Sequence, residues 1–346
     1  MGICHSLCGN TAGIVAALAL LVGAYDASSK PREKVGLAWR EEYRLPSKIP
    51  FPKENSYSKS KEALGRMLFF DPILSGSKSR SCASCHNPGL SWSDGQPRAI
   101  GEKQMPLPLR SPTLLDVAWT PQFGWTGHFR NLESVAMGPI TAPGNMDLPE
   151  AEMIQRLSAI PGYVEAFDAA FGKGPSTARK VEMSLATFER TIVSGQAPFD
   201  HWIAGDEMAI DRSAKRGFAL FKGKANCAAC HSGWAFTDAS FHDVGTARND
   251  DIGRGALFPT SVALQYAFKT PTLRDVARRG PYMHDGSVPT LEAVIDLYNR
   301  GGIERPSRDP EIHPLKLSAG EKADLIAFLR TLSSSTEQTF IPSLPR

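Results

Sequence analysis

No apolar run in the 346-residue chain is long enough to cross a bilayer comfortably. The one apolar stretch, Ile14 to Ala24, instead has the length of the hydrophobic region of a signal peptide. A polytopic membrane protein is excluded and export is expected, with residues 1–28 read as a signal peptide or leader. Its n-region has no Lys or Arg, and Ala24, Ala27 and Ser28 all offer a cleavage point; left uncleaved, the stretch would be an anchor. Charge of one sign is also lacking. The 39 basic and 36 acidic residues are interspersed, so the concentrated basic face that nucleic acid requires is missing. Cysteine is scarce: of six, Cys4 and Cys8 fall in the leader and four in two short motifs, which leaves none for a disulfide. No convincing strand alternation occurs, and the fold class expected is mainly α.

The two motifs are Cys82-Ala-Ser-Cys85-His86 and Cys227-Ala-Ala-Cys230-His231. Two thiols three positions apart can form thioether bonds to the two vinyl groups of one haem, and the adjacent histidine then reaches the iron. Two covalently bound c-type haems are therefore expected, with His86 and His231 as iron ligands. A zinc ribbon of paired Cys-x-x-Cys is the alternative. It explains neither the histidine after each pair nor the duplication around them.

That duplication extends downstream. Arg110-Ser-Pro-Thr-Leu-Leu-Asp-Val-Ala118 matches Lys269-Thr-Pro-Thr-Leu-Arg-Asp-Val-Ala277, and without a gap Gly127 falls on Gly286, Leu132-Glu133 on Leu291-Glu292 and Val135 on Val294. The reading is two homologous cytochrome c-like haem domains, 53–205 and 206–335, after an extension over 29–52 and before a tail over 336–346. Helical spacing is expected over Lys61 to Phe70, Ala151 to Phe171, Arg179 to Val193 and Ala214 to Phe221. The two middle segments are expected to cover the haem faces. Ser318-Ala-Gly-Glu321 is a capping box that opens a last helix.

A filled sixth coordination position suits a haem to electron transfer, whereas an open one admits peroxide or dioxygen. In the second half, Leu291, Val294, Ile295 and Tyr298 share one face of a helix, which puts the phenol on the buried side. The first half has Pro139 at the matching position, and proline offers no side-chain donor. Tyr298 is thus a candidate sixth ligand, the alternative being a core tyrosine bonded to backbone. Met283 and His284 are rival ligands in the loop before it. Trp125 matches His284 and stands either as packing or as an electron relay between haems.

Together these residues resemble the dihaem cytochrome c peroxidase family, and within it the MauG type. The resemblance runs from about Leu64 to Leu332 and includes Leu64-Gly-Arg-Met-Leu-Phe-Phe-Asp71, Phe188-Glu-Arg-Thr191, Phe199-Asp200 and Pro281-Tyr-Met-His-Asp-Gly286. It implies Tyr298, where peroxidases usually carry Met, as ligand to the second haem and Trp125 as the inter-haem tryptophan. Glu102 stands where peroxidases place a distal His, so the His86 haem is expected to be open. The family's distal Gln and Glu positions fall on Val135 and Asn145, leaving Glu102, His128 or Glu133 as candidate acid-base groups. Arg110 and Arg279 replace residues of the family's inter-haem calcium site, and calcium is therefore left open. The implied function is a periplasmic oxidase that reacts with hydrogen peroxide or dioxygen and oxidises an aromatic residue of a partner protein at long range. The alternatives are a peroxidase fed by a small cytochrome or cupredoxin, and a plain electron carrier.

Overall fold

The computed structural model describes residues 39–335 and 339–345, so the leader lies outside the described residues. From Arg40 onward the chain is built on helices α1 (Lys59–Phe70), α2 (Leu132–Thr141), α3 (Glu150–Ser158), α4 (Pro161–Phe171), α5 (Ala178–Arg190), α6 (Pro198–Ile203), α7 (Arg212–Lys222), α8 (Leu291–Arg300) and α9 (Ala319–Arg330). Short 3-10 turns and loops join them. The strands are β1 (Phe241–His242) and β2 (Phe268–Lys269), an antiparallel pair too short to leave an alternating pattern in the sequence. No helix among the described residues is long and apolar enough to cross a membrane.

The first half forms around α1 and α5. Ser58 caps α1 by accepting from the Lys61 amide at 3.2 Å, and the helix then buries Leu64, Leu68 and Phe69 against Val181, Leu185 and Phe188 of α5. Gly65 permits the crossing: a Cβ there would lie 1.9 Å from the Ser184 carbonyl oxygen. In the second half α7 crosses α9 at Gly217, where a Cβ would lie 1.9 Å from the Asp324 carbonyl oxygen. Phe218, Phe221, Phe236 and Phe328 fill the core beneath that crossing with edge and tilted ring contacts. The Ser318–Glu321 capping box opens α9 as expected.

Smaller features repeat with the helices. Asp116 and Asp275 both take the left-handed backbone conformation, and their amides donate to the Ile192 and Leu332 carbonyls at 2.9 and 3.0 Å. Their carboxylates accept from the Ser194 and Ser334 amides, each at 2.9 Å. Each half thus ties the turn after its Pro-Thr-Leu string to the end of the helix at its glycine crossing, α5 in the first and α9 in the second.

One expectation is corrected. Residues 151–171 do not form a single helix over the haem faces: they break into α3 and α4 at Ile160-Pro161, because proline has no N–H and forces the preceding residue out of the helical region. Met153, Leu157, Tyr163 and Phe167 pack into the core with α1 instead, and the Tyr163 hydroxyl donates to Asp71 at 2.7 Å.

Candidate haem site

Each Cys-x-x-Cys-His motif opens with one 3-10 turn, Cys82–Ser84 and Cys227–Ala229. Chain reversal brings the His86 amide to the Cys82 carbonyl at 2.9 Å and the His231 amide to the Cys227 carbonyl at 2.8 Å, so each imidazole returns beside its own thiols. His86 Nδ1 lies 3.2 Å from the Trp92 carbonyl and His231 Nδ1 lies 2.8 Å from the Phe236 carbonyl. A carbonyl can only accept, which puts the proton on Nδ1 and leaves the Nε2 lone pair for a metal. Burial holds both imidazoles below the ordinary histidine range, so they stay neutral. Burial also pushes the Cys82 thiol up, and the Cys227 thiol up to about 12. The four cysteines do not converge as a zinc ribbon requires: among the described residues the one cluster of metal-ligating side chains is Cys230, Asp238 and His242.

Both motifs line a single cavity of about 890 Å³. Three cations face it from the seam between the halves. Arg110 and Arg279 are both 7% exposed, form no ion pair with a described carboxylate, and each leaves Nε without a partner. Burial and the neighbouring Arg110 push Arg279 down to about 10, and burial pushes Lys269 down to about 8. Buried cations without counter-ions are costly, and the propionates of two haems would supply anions here. Thiols, free imidazole nitrogens and cations without a direct ion pair together fit two c-type haems. The Arg279 and Pro281 carbonyls accept from the Arg110 guanidinium, the former at 2.7 Å.

The seam has approximate two-fold character. The Arg110 amide donates to the His284 carbonyl at 3.0 Å, and at the matching place the Lys269 amide donates to the Trp125 carbonyl at 2.8 Å. Trp125 Nε1 donates back to the Arg110 carbonyl at 3.0 Å, fixing the indole in the wall of the cavity that both motifs line. His284 lines the cavity too, but its Nε2 lies 2.7 Å from Asp251 and its ring stacks on Phe268 at 3.6 Å. That nitrogen is committed to a carboxylate. Met283 also faces the cavity.

Tyr298 and Pro139 stand at the same turn of α8 and α2, and both line the cavity. The Tyr298 hydroxyl makes no hydrogen bond with a described residue, so the backbone partner of an ordinary core tyrosine is missing. Burial, with Cys227 and Cys230 beside it, pushes the phenol up and holds its proton on. Pro139 presents a ring with no donor atom.

The distal acid-base candidates are not brought to this cavity. Glu102 is 5% exposed but lies outside the lining, accepting from Ser77 Oγ at 2.9 Å. Glu133 is bound by Arg190 through two bonds of 2.7 and 3.0 Å. His128 lies against Phe129, edge to face. Val135 and Asn145 do line the cavity. So does Glu189, which the sequence reading quoted only as part of a motif. The signal that identifies it is the match of Phe188-Glu-Arg-Thr-Ile192 to Phe328-Leu-Arg-Thr-Leu332, visible once the halves are superposed on their helix crossings.

Residues 59–208 match the family model "Di-haem cytochrome c peroxidase" and residues 214–333 the model "Cytochrome c". The methylamine utilization protein MauG of Methylorubrum extorquens is 51% identical over 325 residues, which cover 93% of this chain and 92% of the relative. That of Methylophilus methylotrophus is 43% identical, with 96% and 97% covered. Among solved structures, a MauG-like protein associated with microbial copper homeostasis superposes with a TM-score of 0.79 at 30% identity, over 84% of this chain and 95% of that one.

Proposed function

As a member of the di-haem cytochrome c peroxidase and MauG family, the chain is a haem-dependent oxidoreductase of the MauG type with two c-type haems, and we propose that it oxidises an aromatic side chain of a partner protein at long range. The observation that carries this reading is the pair Tyr298 and Pro139 on equivalent turns of twin helices. Bound here, the haems supply one-electron chemistry and, where the sixth position is open, a place for peroxide or dioxygen to react.

The chain's own residues divide the work. Cys82, Cys85, Cys227 and Cys230 hold the two groups covalently, and His86 and His231 offer Nε2 to the irons. Tyr298 would hold the second haem through its phenolic oxygen, its proton passing to water in the cavity, and an anionic ligand there would favour oxidised iron over a high-potential electron reservoir. Pro139 keeps the first centre open. Trp125, hydrogen-bonded to the Arg110 carbonyl in the wall of the shared cavity, would pass electrons across the seam. Because the oxidising equivalents are shared, the substrate needs no pocket beside the open haem and is a protein docked outside. A peroxidase fed by a cytochrome or cupredoxin would need the high-potential second haem that a phenolate opposes. The leader over 1–28 directs the chain to the periplasm.

The test uses Trp125→Phe with a precursor protein whose quinone cofactor is made from tryptophan. Peroxide-driven oxidation of the precursor is expected to fall at least tenfold, about 1.4 kcal/mol of barrier, with both haem absorption bands retained. Unchanged turnover would remove the relay.

A further inference from the structure

The halves differ a second time, on the helices that close each motif from behind. The crossings at Gly65 and Gly217 set the register between α5 and α9: Ser184 matches Asp324 and Phe188 matches Phe328. In that register Leu185 matches Leu325, and both line the cavity. One turn further on, Glu189 stands where the second half has Leu329, and both of these line it as well. A carboxyl thus replaces leucine in the half whose α2 carries proline instead of tyrosine.

Nothing among the described residues satisfies that carboxyl. Glu189 is 7% exposed, and its side chain makes no hydrogen bond or ion pair with a described residue. Arg190, next to it on α5, is committed to both carboxylate oxygens of Glu133 from α2. Lys61 of α1 donates to Asn55 and to the Ser56 carbonyl. From the motif turn, the Cys82 thiol faces it. Burial outweighs the attraction of Arg190, Glu133 adds repulsion, and the carboxyl is pushed up to about 8.

We propose that Glu189 is a redox-linked proton site of the first haem: its O–H bond breaks when the His86 centre gives up an electron and re-forms when the electron returns. One electron goes to the oxidant, a chemical mediator in a titration or peroxide in turnover, and one proton goes to water through the cavity. The physical cause is Coulombic. Losing an electron adds a positive charge to the same low-dielectric cavity, which lowers the proton affinity of the nearby acid. Reciprocally, losing the proton stabilises the oxidised centre. Through this acid the first haem's potential falls as pH rises between the acid's pKa in the oxidised and reduced states. Leu329 gives the second haem no such acid at the matching position. The inference requires haem on His86 and is independent of the Tyr298 and partner-protein readings.

The experiment is a potentiometric titration of the holoprotein at a series of pH values across neutrality, with redox-difference infrared spectra of the same samples. The expected result is a first-haem potential that falls with pH, and a protonated-carboxyl C=O band that disappears on oxidation. In Glu189→Gln both features should vanish while the second haem's potential stays where it was. A band and slope that survive in the Gln variant belong to a propionate and overturn the proposal. If that variant does not load haem, wild type labelled with ¹³C-glutamate decides: the band shifts if it belongs to a glutamate, and an unshifted or absent band overturns the proposal.

Discussion

Tyr298→Phe should leave both haems attached yet abolish the low-spin signal of the second, and slow partner oxidation at least a hundredfold, about 2.7 kcal/mol of barrier. Attachment survives because Cys227, Cys230 and His231 are untouched. Ligation does not, because phenylalanine keeps the ring and loses the one atom able to reach iron. The substitution also separates ligand from packing. The Tyr298 hydroxyl has no hydrogen-bond partner among the described residues, so its removal orphans no buried donor or acceptor and should leave the melting temperature within about 2 °C of wild type. Spin-resonance spectra and a thermal scan of the same holoprotein preparations measure both. A retained low-spin signal would make Tyr298 a packing residue.

Gly217→Ala should be the most damaging single methyl group in the second half. Its Cβ would lie 1.9 Å from the Asp324 carbonyl oxygen and 2.8 Å from Phe328 Cβ, and neither atom is the end of a flexible side chain. Helices α7 and α9 must move apart, and α9 carries Leu325 and Leu329 of the cavity wall. A loss of about 3 kcal/mol is expected, which for a chain of this size lowers the melting temperature by roughly 5–10 °C. Gly65→Ala should act alike in the first half, against Ser184. Gly320→Ala is the control: nothing lies within 4 Å of the added carbon in the first turn of α9, so stability should be unchanged or rise slightly. A Gly217→Ala protein that melts with wild type would mean the crossing is looser than its geometry.

Much of this arrangement is legible in the sequence because the chain writes it twice. The Cys-x-x-Cys-His spacing is dictated by the porphyrin, and the Pro-Thr-Leu strings carry the register forward to Pro139 and Tyr298 with no structure in hand. The readings that stray are those in which one signal served alone. Helical periodicity over 151–171 gave no weight to Pro161, whose missing N–H starts a new helix. Glu102 was placed by analogy with a distal histidine, yet its carboxylate turns to Ser77, outside the cavity. Glu189 escaped because its burial depends on where α5 crosses α1, a tertiary fact set by Gly65, and along α5 it reads as one more polar position before Arg190. The pairing of Arg110 with the Arg279 and Pro281 carbonyls lies similarly beyond periodicity, since those residues are about 170 positions apart.

The asymmetry between the two iron sites is tested most directly on wild-type holoprotein, by spin-resonance of the oxidised form and carbon monoxide titration of the reduced form. One high-spin and one low-spin centre, with a single carbon monoxide taken up per two haems, is the predicted result. Two centres of identical ligation, both binding carbon monoxide or neither, would contradict it.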